Sequence, residues 1–237
     1  MAAERAATSG GAGTALGMWP EALRALDALG FGDEVRRVGA RQASGHFLRP
    51  DGSRIGTVDV AAIARRTGDS VHLISRPALL RLLTGAVSPG TVTFDSEVTE
   101  LTPLRSRYDV VVAADGIFSR SRDALLGAAT APRYAGTTAW RGTVDGATDA
   151  VNETWGPGRR FGITPREDGR TNWYATLVTP PGLLSPRGEV AALRTLFGDW
   201  HHDVRRGSTC SASPRSCGTT STTSPRQCRR TSGARSP

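Results

Sequence analysis

The sequence predicts an α/β fold that combines a parallel sheet with a second, sheet-based subdomain. Two observations indicate this architecture. The first is a short, wholly apolar run at Tyr108–Ala113, of the kind that lies buried between helices in a parallel sheet. The second is a change of pattern after Arg133, where strand-like segments rich in aromatic and β-branched residues replace helix-like ones.

Two amphipathic helices are predicted in the N-terminal part of the chain. The first covers residues 18–30, where leucine recurs on one face and Pro20 suits the first turn. The second lies within residues 72–85, where Ser75 can cap the helix N-terminus and Pro77 can start the helix.

Strands are predicted around and after these helices. A hairpin turns at Asp51-Gly52, and residues 91–101 are strand-like. Residues 133–179 contain three further strand-like segments separated by glycine and proline, and residues 187–200 predict a helix.

The charged residues are distributed unevenly between residues 1–203, which we call the body, and the tail that follows. The chain has 237 residues and a formal net charge of +8. Residues 1–203 hold all 22 acidic residues and 23 of the 30 arginines, so the surplus of positive charge lies in the tail. The body therefore offers no basic face for nucleic acid, and DNA binding by the tail is only a distant third hypothesis.

The sequence carries no clear signal for a membrane, for secretion or for a metal. No apolar run reaches the length of a membrane span and no apolar leader follows Met1, so we expect a cytoplasmic protein. The three cysteines, Cys210, Cys217 and Cys228, lack the spacing of metal ligands, and we expect no metal site.

The apolar run of the predicted parallel strand stops at Asp115-Gly116. Ligands bind at such strand ends in doubly wound sheets, where glycine permits close backbone approach and aspartate can accept hydrogen bonds from a ribose. Ser119 can cap a following helix, whose N-terminus attracts a pyrophosphate. The dipeptide is also common in plain turns, and the local residues alone favour that simpler interpretation.

The segment YDVVVAADGIFSRSRDALLG resembles the Asp-Gly motif of FAD-dependent aromatic-ring hydroxylases, the single-component flavoprotein monooxygenases. Asp115, Gly116, Ser119 and Arg122 match the motif, whereas Ala113 replaces its usual glycine. In that family the motif contacts the ribose–pyrophosphate region of FAD and affects the use of NAD(P)H. The resemblance therefore implies FAD as the cofactor and NAD(P)H as the co-substrate.

Other segments resemble the same family in the same order. HLISRPALLRLL resembles the segment whose arginine, Arg76 here, reaches the flavin cofactor. GAGTALGMWPEALRALDALGFGDEV resembles the stretch after the second strand, and Glu4 matches the acidic strand end that binds the adenosine ribose. Without the family, Arg76 would be interpreted as a solvated arginine at a helix start.

The aromatic-rich part resembles the start of the substrate domain in the branch of urate and salicylate hydroxylases and zeaxanthin epoxidase-like enzymes. In the urate-type enzymes an arginine matching Arg160 faces the substrate, and an ordinary surface position on a strand is the equal alternative. Trp140, Trp155 and Trp173 are predicted to pack rather than to stack on a substrate. The resemblance implies hydroxylation or epoxidation of a small aromatic or unsaturated molecule, and we identify no catalytic acid or base.

The resemblance divides the chain into three parts. Residues 1–130 are expected to form an incomplete FAD-binding, Rossmann-like three-layer domain, from which residues 40–70 contribute a hairpin to the substrate side. Residues 131–206 are expected to form part of a mixed β-sheet substrate domain. Residues 207–237 have too little apolar surface to fold, and we expect a disordered tail.

Departures from the family pattern predict a fragment. The first strand with its Gly-x-Gly-x-x-Gly loop has no counterpart here, and neither does the family's C-terminal Gly-Asp motif. Codons for SCGTTSTTSPR, translated in another frame, match the pattern that precedes that motif, so we interpret the tail as frameshifted from near Gly207. The alternative to an active monooxygenase is a non-catalytic remnant that binds little or no flavin.

Overall fold

A computed structural model describes residues 1–8, 15–149, 151–182 and 187–208, and the backbone of 218–220. Within these residues the strands are β1 Ala2–Ala3, β2 Ala15–Met18, β3 Ala40–Arg41, β4 Gly45–Leu48, β5 Arg54–Val58, β6 His72–Ser75, β7 Val92–Thr93, β8 Thr137–Val144, β9 Val151–Gly156, β10 Arg159–Pro165, β11 Thr171–Val178 and β12 Gly218–Thr220. The helices are α1 Pro20–Ala28, α2 Gly32–Val38, α3 Val60–Thr67, α4 Arg76–Gly85, α5 Thr102–Arg105, α6 Arg120–Leu126, α7 Glu189–Phe197 and α8 His202–Ser208, with a short 3-10 helix at Ala128–Thr130. This mixture of helices and mixed sheets is the α/β class that the sequence predicts.

The largest sheet has seven strands in the order β12-β8-β11-β10-β9-β4-β5. Its neighbours are antiparallel except β4 and β9, which run parallel. The hairpin formed by β4 and β5 turns at Gly52, whose φ of +87° suits glycine. Because β4 pairs with β9, residues of the 40–70 segment extend the sheet that begins after residue 131.

One face of the seven-stranded sheet packs against α7 and α8. The Phe161 ring stacks on Trp173 with centroids 5.6 Å apart, and Phe197 meets Trp200 edge-to-face at 5.0 Å. Large aromatic side chains bury more apolar area than any others, so this core dominates the stability of the C-terminal part. Its buried members are Trp140, Phe161, Ile163, Trp173, Ala175, Leu193, Phe197, Trp200 and Val204.

A second core surrounds an antiparallel three-stranded sheet with the order β2-β6-β3. Helices α1, α2 and α4 pack on it through Met18, Leu23, Val35, Ile74 and Ala78. The leucine periodicity and Pro20 predicted α1, and the Ser75 cap predicted the start of α4, which begins at the next residue.

The predicted buried strand at Tyr108–Ala113 is wrong. The segment belongs to none of the described strands, and the side chains of Val110 and Val112 are 78% and 82% exposed. The neighbouring strand-like stretch at residues 91–101 forms only β7, which pairs in parallel with β1. An apolar run shows that a segment would gain from burial. A strand also needs a partner strand whose backbone pairs with its amides and carbonyls, and the apolar run does not show whether one is present.

The start of the predicted disordered tail is ordered. Gly207 and Ser208 complete α8 and are buried, and Gly218–Thr220 pairs with β8 at the edge of the large sheet. These residues have regular secondary structure, because α8 packs on the aromatic core and the backbone of 218–220 pairs with β8. The other tail residues lie outside the described part of the chain.

The described residues also bear on the requirements of a membrane span and of a metal site. In the described part of the chain no helix is long and apolar enough to cross a bilayer; α4, for example, has ten residues. The same residues contain no cluster of three or more His, Cys, Asp or Glu side chains that could hold a metal ion. Cys210, Cys217 and Cys228 lie outside them.

Candidate functional site

The Asp-Gly turn before α6 is held by its own side chains. The Ser119 hydroxyl donates to Asp115 Oδ1 at 2.5 Å and accepts from the Arg122 amide at 2.9 Å. The Ser121 amide donates to Asp115 Oδ2 at 3.1 Å. The bond from Ser119 first, and then that from Ser121, lowers the pKa of Asp115 to about 2. Asp115 is therefore an ionised group that stabilises the N-terminus of α6.

Glu4 is linked to the start of α6 through residues 96 and 97. The Glu4 amide donates to the Thr93 carbonyl at 2.9 Å, and the Glu4 carbonyl accepts from the Ser96 amide at 2.9 Å. The next residue, Glu97, accepts from Arg120 Nη1 at 3.1 Å, and Arg120 is the first residue of α6. A backbone bond from Ser96 and an exposed ion pair from Glu97 thus connect the end of β1 with the start of α6.

The exposed groups at this corner suit one end of a dinucleotide such as FAD. The Glu4 carboxylate is exposed and can accept hydrogen bonds from ribose hydroxyls, although Oε1 also accepts from the Ala6 amide at 2.9 Å. Gly116 has a φ of +84° and no atom within 4 Å of the place a Cβ would take, so a ligand can approach its backbone. Asp115 does not follow a strand, so the prediction that it lies at the end of a parallel strand, beside a cofactor, is wrong. The groups at this turn that a ligand can still reach are the Gly116 backbone and the N-terminus of α6.

Arg76 opens α4 at a contact between the two larger sheets. Ser75, which precedes it, caps α4 by accepting from the Ala78 amide at 3.2 Å. The Ser75 amide donates to Glu167 Oε2 at 3.1 Å, and the Ser75 hydroxyl donates to the other carboxylate oxygen. Glu167 lies in the turn between β10 and β11, so the exposed Arg76 is anchored to the seven-stranded sheet.

Arg160 lies on the face of the seven-stranded sheet opposite α7 and α8, which we call the open face. Its guanidinium carbon is 4.8 Å from the centroid of the Trp155 ring, and its Nη1 is 3.7 Å from Glu153 Oε1. The Arg160 side chain is 56% exposed, and Trp155 is 46% exposed. Trp140 and Trp173 are buried on the other face, as the packing interpretation predicts for them, whereas Trp155 is available for contact.

Tyr174 donates its hydroxyl to Glu153 across the width of β10. Gly162 of β10 pairs with Glu153 on one side and with Tyr174 on the other, and a Cβ at Gly162 would lie 2.1 Å from the tyrosine ring. Burial, and then the bond to Glu153, raises the pKa of Tyr174 above its usual range. Sequence reasoning missed Glu153 and Tyr174, although a glycine inside a strand is a known signal of close approach.

Comparison with known proteins identifies relatives among flavin-dependent oxygenases. The chain is 30% identical over 208 residues to aurachin C monooxygenase/isomerase of Stigmatella aurantiaca, covering 81% of this chain and 54% of that protein. It is 27% identical over 215 residues to FAD-dependent urate hydroxylase of Klebsiella pneumoniae, covering 82% and 56%. The chain thus spans about half the length of these relatives, and no protein-family model matches it.

The match to solved structures covers a larger share of this chain than the sequence matches do. Klebsiella pneumoniae HpxO, solved in complex with FAD and uric acid, superposes with a TM-score of 0.76 at 22% identity. That match covers 92% of this chain and 60% of HpxO. The chain therefore shares its α/β architecture with HpxO over the region that aligns.

Proposed function

We propose that the chain, whose relatives include a monooxygenase and FAD-dependent hydroxylases, is part of a monooxygenase that uses NAD(P)H and dioxygen to hydroxylate or epoxidise a small aromatic or unsaturated molecule. The names of its relatives support this reaction class. The observation that carries the proposal is the 30% identity to a monooxygenase over 81% of the chain, a share that includes parts of both larger sheets. A cytoplasmic location belongs to the same proposal.

The proposed cofactor residues are Glu4, Arg76 and Gly116, together with Asp115, which would hold the turn that carries Gly116 through its bonds to Ser119 and Ser121. Glu4 would accept hydrogen bonds from a ribose, and Gly116 would admit the pyrophosphate beside the N-terminus of α6. Arg76 would contribute a fixed positive charge at the start of α4. When bound, FAD would supply the redox chemistry, taking electrons from NAD(P)H and passing them to dioxygen.

The proposed substrate surface is the open face. Arg160 would orient a ring through its guanidinium N–H groups, and the Trp155 ring beneath it would provide an apolar surface. The Ser75–Glu167 contact would hold the seven-stranded sheet in a fixed position relative to α4, the helix that carries Arg76. The role of these residues is to bind and orient, since the cofactor carries the chemistry.

Flavin titration of the purified chain tests the proposal. We expect FAD fluorescence to be quenched on binding, and Arg76→Ala and Gly116→Val to weaken that binding at least several-fold. Arg24→Ala, which removes an exposed arginine paired only with Glu21 in the described contacts, serves as the control. NAD(P)H oxidation stimulated by an aromatic substrate would complete the assignment, whereas a chain that binds no flavin would support the non-catalytic remnant.

The fragment interpretation is tested separately. We propose that the reading frame changes near Gly207, and the nucleotide sequence on both sides of that codon decides the question. A chain with the upstream codons and the corrected frame is expected to bind FAD more tightly, because the glycine loop and the Gly-Asp motif of the family would be present.

A further inference from the structure

The open face places a hydrogen-bond acceptor and a hydrogen-bond donor side by side. Glu153 Oε2 is occupied by the Tyr174 hydroxyl, and Oε1 lies 3.7 Å from Arg160 Nη1. That separation is longer than a hydrogen bond, so both groups keep bonding capacity toward a third partner. The Glu153 side chain is 22% exposed and that of Arg160 is 56% exposed, so a ligand can reach both.

The neighbouring rings define the shape of the ligand that would fit. Trp155 lies against the Arg160 guanidinium, and Phe47 meets Trp155 edge-to-face with centroids 5.6 Å apart. Their planes are 71° apart, so the two rings form an apolar corner beside the charged pair in which a small ring can pack. The polar edge of that molecule would then point toward Glu153 and Arg160.

We propose that Glu153 and Arg160 together recognise the cis-amide edge of a lactam or ureide ring. The ring N–H would donate to the Glu153 carboxylate, and the adjacent ring carbonyl would accept from the Arg160 guanidinium. This inference rests on the proposed function only in taking the open face as the substrate-binding face. It makes Glu153 a specificity-determining residue, held in place by Tyr174.

The charges on this face argue against a simple aromatic acid as the preferred ligand. A carboxylate on the ring would approach Arg160 but would also meet the negative charge of Glu153 a few ångströms away. Arg141, at the register position beside Tyr174 on β8, adds a positive charge farther from the rings. A neutral ring with one donor and one acceptor can bond both Glu153 and Arg160 without placing a second negative charge beside Glu153.

Calorimetric titration of the full chain, in the presence of excess FAD, tests the proposal with two probes. The probes are 2-quinolone, a bicyclic lactam, and N-methyl-2-quinolone, which lacks the N–H donor. We expect 2-quinolone to bind roughly tenfold more tightly, as the loss of a hydrogen bond to a charged group implies. Equal binding of the two probes, tighter binding of the N-methyl compound, or no binding of either would overturn the proposal.

Three variants test whether Glu153 is the residue that distinguishes the two probes. Glu153→Leu is expected to reduce the ratio of the two affinities to about one, and Glu153→Gln to raise the affinity for benzoate by removing the repulsion. Glu189→Gln is the matched control, because Glu189 accepts from the Trp140 indole on the opposite face of the sheet. If Glu189→Gln lowers the ratio as much as Glu153→Leu does, or benzoate affinity does not rise in Glu153→Gln, the assignment is wrong.

The titration separates this inference from the proposed function. FAD binding, followed by flavin fluorescence in the same samples, reports on the flavoprotein assignment alone. Bound FAD without lactam selectivity removes only the role of Glu153. Lactam selectivity without bound FAD would support the role of Glu153 and contradict the proposal that the chain is part of a monooxygenase.

Discussion

Glu167 accepts two hydrogen bonds from Ser75, one from the backbone amide and one from the hydroxyl, and so joins the β10–β11 turn to the N-terminus of α4. Ser75 is 1% exposed in the intact protein, so removal of the carboxylate takes the hydrogen-bond acceptor from a buried amide. We therefore expect Glu167→Ala to lower the free energy of unfolding by about 1–3 kcal/mol, the cost of an unsatisfied buried donor. Urea denaturation followed by circular dichroism measures the change.

Two variants interpret that measurement. Glu167→Gln keeps an acceptor oxygen and is expected to cost less than Glu167→Ala. Glu21→Ala removes an exposed carboxylate paired with Arg24, and we expect a change below about 1 kcal/mol. A loss in Glu167→Ala no larger than that in Glu21→Ala would show that the contact contributes little.

His201 predicts a loss of stability in weak acid. Its Nε2 lies 2.8 Å from the hydroxyl of Thr154, which is 1% exposed, and burial lowers the pKa of His201 below its usual value. The unfolded chain therefore binds the proton more readily, so stability is full above about pH 6.5 and falls as the pH drops toward the lowered pKa. Denaturation midpoints measured between pH 8 and pH 5 test this window.

A pair of histidine variants assigns the pH effect. His201→Gln is expected to flatten the decline between pH 6.5 and pH 5, because the titrating group is gone. His202→Gln changes the exposed neighbouring side chain and is expected to leave the decline in place. The same decline in both variants would assign it to other groups.

Gly207 is expected to tolerate no side chain. A Cβ at Gly207 would lie 2.8 Å from the Phe161 ring, so Gly207→Ala must displace the aromatic core or α8. We expect a loss of about 1–3 kcal/mol in thermal or urea denaturation. Gly85→Ala, at the end of α4 with no atom within 4 Å of the added methyl, is expected to stay within about 1 kcal/mol of the parent chain.

The exposed valines at residues 110 and 112 are expected to cause self-association. They lie on an apolar segment that pairs with no described strand, and such segments join other chains through free backbone groups. Val110→Lys combined with Val112→Lys should raise the soluble yield and reduce light scattering. Ile55→Lys, which changes one exposed residue on β5, is expected to have a smaller effect; an equal effect would remove the special role of the segment.

Local features of the sequence determined the individual helices and turns. Pro20 and the leucine spacing predicted α1, the Ser75 cap predicted α4, and Asp51-Gly52 predicted the hairpin, because helix period, capping and turn geometry depend on residues a few positions apart. The aromatic-rich segments likewise predicted β8, β10 and β11 of the large sheet, whereas β9 was not predicted. The motif residues indicated the same group of proteins in which the comparisons find relatives, since each motif is contiguous in the chain.

Only the tertiary structure decided which strands pair and which side chains meet. The apolar pattern of Tyr108–Ala113 predicted a buried strand, but it carried no information about a partner strand, and none of the described strands pairs with this segment. Nor could spacing reveal that Gly162 lets Tyr174 reach Glu153, or that Glu167 binds Ser75 from 92 positions away. These contacts depend on strand register and on the packing of one sheet against another, which arise from interactions between residues distant in the chain and leave no local periodicity.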